Sequence, residues 1–182
     1  QKKVEIGIVK SQDILENQVK TVFLSIGSNL GNKKRNIELT KFKLNSTSIK
    51  IIESSNNYES YSWPDKSKPK FINAVLKINT KLSPNKLLEG CLKIEEELGR
   101  TRGIKNSPRT CDIDIIDYNR QILSKSKKVK LSVPHPRMHE RSFVLLPLYE
   151  LTKSWIHPIK NIGINELIRS LKIADLRSIK LI

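Results

Sequence analysis

Apolar positions recur along this chain with two periods, and turn residues mark each change from one to the other. TVFLSIG (21–27) is β-prone, mainly apolar and closed by a glycine, which predicts a buried strand. GSNLGN (27–32) then gathers turn residues ahead of a helical stretch over 33–46. Apolar residues resume in IKIIESSNNYESYSW (49–63), expected as one long, partly polar strand, and PDKSKP (64–69) is a charged loop with a proline at each end. FINAVLKINT (71–80) alternates as a strand does, with Phe71, Asn73, Val75 and Lys77 on one face. The clearest helix is SPNKLLEGCLKIEEELG (83–99), where Leu88, Cys91, Glu95 and Leu98 form one stripe flanked by Leu87, Leu92 and Ile94. Ser83 suits its N-cap, Pro84 its first position and Gly99 its stop. Glu95 falls on or beside that apolar stripe, and the simplest expectation for it alone is a carboxylate reaching out to solvent.

RTRGIKNSPRT (100–110) reads as a basic loop, CDIDIIDY (111–118) as a strand, and NRQ (119–121) as a turn. A further strand is expected to end in KVKLSVP (128–134), a helix to follow the prolines within 135–151, and a last helix to lie near 164–172. The order strand, helix, strand, strand, helix, strand predicts an α+β fold of the ferredoxin-like kind. Its sheet is mostly antiparallel, with helices packed on one face and additional elements at the C-terminus. Residues 21–182 are expected to form one domain, since 182 residues suffice for a single core. Residues 1–20, with a short β-prone run VEIGIV (4–9), read as an N-terminal extension, a linker or the remnant of a fused domain.

Composition narrows the class. The formal charge of +16 invites a nucleic-acid or membrane reading. Lysine, however, is scattered through nearly every segment, while six of the nine arginines lie between residues 100 and 141. The planar guanidinium suits two-pronged recognition of phosphate or carboxylate, so the arginine cluster is the informative charge. A basic sandwich domain that binds RNA remains an alternative, but it needs an aromatic-rich central strand. Aromatic residues are only 5% here, and the candidate strand reads CDIDIIDY. No run approaches the roughly 20 apolar residues of a membrane span. Cys91 and Cys111 form no CxxC pair, so a reduced, cytoplasmic compartment is expected.

Asp112 and Asp114, two apart on a strand, project from one face and repel each other unless a cation stands between them. Hard oxygen ligands of this kind suit Mg²⁺ bound together with phosphates. Taken by itself, the pair reads more simply as an exposed face whose acids meet Arg100 or Arg109. The basic loop just before it, with Arg100, Arg102, Lys105 and Arg109, shifts the reading toward phosphoryl transfer. No P-loop, no GxGxxG after a strand and no kinase signature is present. His135 after Pro134 reads as a strand-end group near phosphates, with Arg141 a further anion contact. Asn73 is a polar amide in a central strand, facing either solvent or the edge of a heterocycle. Phe71, Phe143, Tyr61 and Trp63 are either core or stacking residues.

FLSIGSNLGN, FINAVLKI, LLEGCLKIEEELGRTRG…SPRTCDIDIIDY and VPHPRMHERSFVLLPL occur in one order over about residues 21–151. Together they resemble the 6-hydroxymethyl-7,8-dihydropterin pyrophosphokinases of folate biosynthesis. The resemblance implies transfer of a pyrophosphoryl group from ATP to the pterin hydroxymethyl oxygen with release of AMP, helped by two Mg²⁺ ions. It implies Asp112 and Asp114 as metal ligands and Arg100 and Arg109 as catalytic cations of a mobile loop. It places Glu95, Arg102, Ile115, Lys130, Ser132, His135 and Arg141 at the ATP site. Gly27, Asn29, Ser60, Tyr61, Ser62, Phe71, Asn73 and Phe143 are implied at the pterin site. The partners implied are therefore ATP and the pterin, with no nucleic acid and no membrane, and fusion to neighbouring folate-pathway enzymes occurs in the family. The chain departs from the family's usual Trp-Gly in the loop, carrying Asn106 and Ser107 there.

Overall fold

The computed structural model describes residues 18–46, 48–100 and 106–182. In chain order its elements are β1 (Lys20–Ser28), α1 (Lys33–Leu44), β2 (Ile49–Ser54), β3 (Tyr58–Ser60), β4 (Phe71–Thr80) and α2 (Pro84–Glu97). There follow β5 (Asp112–Tyr118), a 3₁₀ turn (Met138–Glu140), α3 (Ser142–Leu151), α4 (Ile164–Arg169), α5 (Ile173–Arg177) and β6 (Lys180–Leu181). The architecture is mixed α and β, built on an antiparallel sheet.

The ten-residue β4 organises that sheet. One edge pairs with β1 from Ser28 opposite Ile72 to Lys20 opposite Thr80. The other edge takes β3 opposite Phe71–Asn73 and then β2 opposite Leu76–Thr80. The expected single strand over 49–63 is thus two. Between them Ser55 donates its N–H to the Val75 carbonyl, and its hydroxyl accepts the Val75 N–H, which bends the chain. β5 lies outside β1 and β6 outside β3, giving the order β5-β1-β4-β3-β6 with β2 beside β3 on β4.

Alternation then builds two cores. Val22, Leu24 and Ile26 of β1, Ala74, Leu76 and Ile78 of β4, and Ile113 and Ile115 of β5 face one way. They pack on Ile37 and Leu44 of α1 and on Leu87, Cys91 and Ile94 of α2. Phe23, Val75 and Ile116 face the other way and meet Val144, Leu145 and Leu148 of α3 and Ile164 and Leu167 of α4. Burying each such side chain contributes about 1.5–3 kcal/mol. Helices therefore cover both faces, not one as expected from the sequence, because the C-terminal helices fold back onto the second face. The stretch 128–134 adds no strand to the sheet; Val133 makes an isolated bridge with Leu123. The helix expected within 135–151 begins only at Ser142, after the 3₁₀ turn, and the last expected helix stops at Arg169.

Two local irregularities, one within β5 and one at the end of α2, redirect charged side chains. Opposite Phe23 stands Asp117 and opposite Leu24 stands Ile115, so Ile116 is one residue extra in β5. This bulge sends Ile116 and Asp117 toward the α3 side and returns Tyr118 to the first core. At the end of α2, Gly99 has φ +84°. Its N–H reaches the Glu96 carbonyl and the Arg100 N–H reaches the Glu95 carbonyl, at 2.9 and 3.0 Å. That left-handed glycine cap turns the chain so that Arg100 lies beside Glu95.

Candidate active site

Helices α3 and α4 pack on Phe23, Val75 and Ile116 of the second face; beyond these the strands turn polar side chains toward a cavity. Two rows cross this part. Asp112, Gly27 and Asn73 are register partners across β5, β1 and β4, and Asp114, Ser25 and Val75 form the next row. A side chain at Gly27 has no room: a Cβ there would stand 3.0 Å from Asn73 Oδ1 and 3.3 Å from the Phe71 ring. The glycine thus lets Asn73 and Phe71 close over β1. Asn73 Nδ2 donates to Ser60 Oγ at 2.9 Å, which fixes the amide and leaves Oδ1 over Gly27 for a ligand.

Arginines close over the aspartates. Arg100 donates to Glu95 Oε1 and, at 2.6 Å, to Asp112 Oδ1. Arg109 Nη2 donates to the other oxygen of Asp112 at 2.6 Å, and its guanidinium stands 5.2 Å from the Phe71 ring centroid. Burial opposes the charge of Arg100, but Asp112 and Glu95 outweigh it and raise its pKa above the ordinary value. Glu95 is 3% exposed and also accepts the Ile113 N–H at 2.8 Å. The expectation of a solvent-facing carboxylate is therefore wrong. Helix α2 directs Glu95 inward, where it clamps β5 to Arg100.

On the far side Arg141 Nη1 donates to Asp114 Oδ2 at 3.0 Å. His135 Nε2 stands 3.9 Å from the same oxygen, while its Nδ1 accepts the Arg137 N–H at 3.2 Å. That acceptor role leaves the proton of a neutral ring on Nε2. Burial, reinforced by Arg141 and Arg137 and opposed by Asp114, holds His135 below the ordinary imidazole range. Trp63 lies under two guanidinium groups, those of Arg137 at 4.9 Å and Arg141 at 5.4 Å. Phe143, at the start of α3, stands 5.6 Å from Arg141.

These groups enclose a cavity of about 190 Å³. Small-molecule pockets usually start at roughly 300 Å³; here guanidinium groups fill part of the space. Four arginines face two aspartates, so the site has a net affinity for anions. No group of three or more His, Cys, Asp or Glu that could by itself hold a metal ion exists among the described residues. A divalent cation here needs further oxygens from a ligand, which fits two hard carboxylates that share Mg²⁺ with phosphates. A larger cleft of about 990 Å³ at the other end of β1 and β4 is lined by Lys20, Lys50, Lys81 and Lys86 without a carboxylate. Burial pushes Cys91 up to about 12 and Cys111 up to about 11, so neither thiol is a nucleophile.

Residues 23–153 match the family model of 7,8-dihydro-6-hydroxymethylpterin-pyrophosphokinase. The chain belongs to that family. A 2-amino-4-hydroxy-6-hydroxymethyldihydropteridine pyrophosphokinase of Haemophilus influenzae is 35% identical over 88% of this chain and 98% of its own length. The folic acid synthesis protein fol1 of Pneumocystis carinii is 40% identical over 86% of this chain. This chain spans about a fifth of that protein's length, 20%, and 22% of a similar Dictyostelium discoideum protein. Among solved structures, Plasmodium falciparum HPPK-DHPS with pteroate shares the fold at a TM-score of 0.68. It is 16% identical, with 91% of this chain and 47% of that one covered.

Of the residues that the pyrophosphokinase resemblance implied, Gly27, Ser60, Tyr61, Phe71, Asn73 and Phe143 line the cavity, with Arg100, Arg109, Asp112, Asp114, His135 and Arg141. The others do not line it. Asn29 joins three loops: its amide donates to Ser62 Oγ and the Pro69 carbonyl and accepts the Arg109 N–H at 2.7 Å. Ser62 is buried in that node. Ile115 has its side chain in the first core, Lys130 pairs with exposed Glu89, and Ser132 Oγ accepts the Lys125 N–H. Arg102 lies outside the described residues, as do residues 1–17 of the expected extension. Ser25, Asn106 and Arg137 line the cavity without having been assigned to the site, and so does Trp63, which the sequence left as either a core or a stacking residue. For Ser25 the signal was present in the alternation of β1, which places it on the face of Gly27.

Proposed function

We propose that this pyrophosphokinase domain transfers the pyrophosphoryl group of ATP to the hydroxymethyl oxygen of 6-hydroxymethyl-7,8-dihydropterin. The products are AMP and the pterin diphosphate. One observation carries the reading. Asp112 and Asp114 share a strand face, are answered by guanidinium groups, and adjoin an aromatic and amide pocket of Phe71, Asn73 and Phe143.

The pterin hydroxyl oxygen attacks the β-phosphorus, and the bond from that phosphorus to the oxygen bridging the α-phosphate breaks. AMP leaves with the electron pair, and the hydroxyl proton passes to solvent. Asn73 Oδ1 accepts a ring N–H while Phe71 and Phe143 flank the ring. Asp112 and Asp114 would hold Mg²⁺, two ions by the family resemblance, and that metal would supply positive charge against the phosphate oxygens. Arg100 and Arg109 release Asp112, and Arg141 releases Asp114, and all three turn onto the phosphates, where charge develops in the transition state. His135 donates from Nε2 to a phosphate oxygen. Glu95 keeps Arg100 at hand, and by the family resemblance Arg102, Lys130 and Ser132 extend the nucleotide site, with Ile115, whose side chain is in the first core, contributing its backbone. Gly27, Asn29, Ser60, Tyr61 and Ser62 shape the pterin end.

The fold reading belongs with this proposal. The order β1-α1-β2-β4-α2-β5 with neighbours β5-β1-β4-β2 supports a ferredoxin-like core, to which α3 and α4 add a third layer. The domain boundary near residue 21 and attachment to other folate-pathway enzymes are supported by the greater length of the fol1 relatives. A cytoplasmic location is consistent with two buried, unpaired cysteines, and no helix of the described residues is long and apolar enough to cross a membrane. Changing Asp112→Ala or Asp114→Ala is expected to abolish pterin-dependent AMP formation while circular dichroism and melting stay close to wild type. Turnover within tenfold of wild type in both variants contradicts the reading.

A further inference from the structure

Three of the four cavity arginines already have carboxylate partners: Arg100 holds Glu95 and Asp112, Arg109 holds Asp112, and Arg141 holds Asp114. Arg137 has none among the described residues. Its backbone N–H is taken by His135, but its guanidinium lies exposed on the Trp63 ring, 4.9 Å from the centroid. Arg141 approaches the same ring at 5.4 Å, so two like charges share one aromatic platform, and the one aspartate paired there, Asp114, is bonded to Arg141. Stacking on indole offsets part of that repulsion. An anion lying between the two groups removes the rest.

Trp63 is itself well placed to hold them. It follows Ser62, whose hydroxyl donates to the Pro69 carbonyl at 2.6 Å and accepts from Asn29. The ring is 38% exposed at the cavity, whereas Trp155 is 4% exposed and donates to Asp117.

We infer that Arg137, held on the Trp63 ring, is the anchor that first takes the polyphosphate chain of the nucleotide. The inference rests on the ATP-dependent reading of the site and adds a residue to it. Phosphate binding at Arg100, Arg109 or Arg141 exchanges one ion pair for another. At Arg137 it adds a pair without breaking any among the described residues, and the fork of guanidinium N–H groups suits it. Trp63 acts through Arg137 as a positioning residue.

Calorimetric titration with Mg·ATP, and separately with inorganic triphosphate, tests this. Arg137→Ala should weaken both ligands about tenfold or more, a single charge-assisted contact being worth that much. Arg137→Lys should recover only part, because an ammonium lacks the flat fork that stacks on indole. Trp63→Phe should bind better than Trp63→Leu. Trp63→Leu should do less harm in the Arg137→Ala background than in the native one. Ligand-dependent tryptophan emission, lost in Trp63→Phe, should report the same affinity. Arg137→Ala and Arg137→Lys within twofold of wild type for both ligands would overturn the inference. So would a loss for ATP but not for inorganic triphosphate, which puts the contact on the nucleoside. Fully additive Trp63 and Arg137 effects overturn the positioning role. Failure of the underlying reading is distinct: wild type then yields no pterin-dependent AMP, whatever its affinity for ATP.

Discussion

Asp117 is a carboxyl group in the second core, 2% exposed, accepting from the Trp155 indole at 2.7 Å and the Arg120 N–H at 2.8 Å. Burial raises its pKa, and those two hydrogen bonds only partly offset the rise. The folded state therefore keeps this proton to higher pH than the unfolded chain does. Stability from this group is present below the unfolded carboxyl range and is lost as pH rises through the folded pKa. Asp117→Asn lacks the titration, so its stability relative to wild type should improve from pH 4 to pH 7. Urea unfolding of both proteins at the two pH values checks this, and a constant difference contradicts it. Strict alternation in CDIDIIDY puts Asp117 on the face opposite Asp112 and Asp114. The bulge at Ile116, a property of pairing with β1, sends Asp117 under helices while its neighbours face the cavity. Glu95 was legible as lying on the apolar stripe. That its charge is answered inside the protein depends on Arg100 and the Ile113 N–H, which only the fold brings there.

At the scale of elements, local chemistry was a good guide where it closes within a few residues. Ser83 caps α2 by accepting the Lys86 N–H, Pro84 opens it and Gly99 closes it, as their order implied. β4 occupies the expected 71–80 because its alternation serves two buried faces. Where tertiary pairing decides, the pattern ran out. The bend at Ser55 depends on Val75, β6 is a strand only through Tyr58 and Glu59, and 128–134 finds no neighbour in the sheet. Gly99 also couples stability to chemistry, since its turn delivers Arg100. Gly99→Ala has space, the nearest atom being Thr110 Oγ1 at 4.0 Å, but it strains a left-handed residue. It should lower stability by about 1–2 kcal/mol and reduce turnover more than substrate affinity, read from urea unfolding and steady-state kinetics. An unchanged unfolding midpoint contradicts this account of the cap.

Over the whole molecule, one sheet carries a continuous core on one face and a half-core on the other. The site is the part of the second face that α3 and α4 leave uncovered. Strand register brings Asp112, Gly27 and Asn73 into one row, and the segments around residues 62, 109 and 141 close over it. Most of the residues were legible because their motifs are local. That Asn29 and Ser62 would brace the loops, and that Arg137 would stack on Trp63, was not, because each depends on segments far apart in the chain. On the proposed reading ATP alone gives no turnover, because its β-phosphorus needs the pterin hydroxyl as acceptor. The most direct measurement follows AMP from ATP and Mg²⁺ with and without 6-hydroxymethyl-7,8-dihydropterin. AMP is expected only when the pterin is present, in equal amount to the pterin diphosphate. ATP consumed to ADP, or no pterin-dependent AMP at all, contradicts that reading.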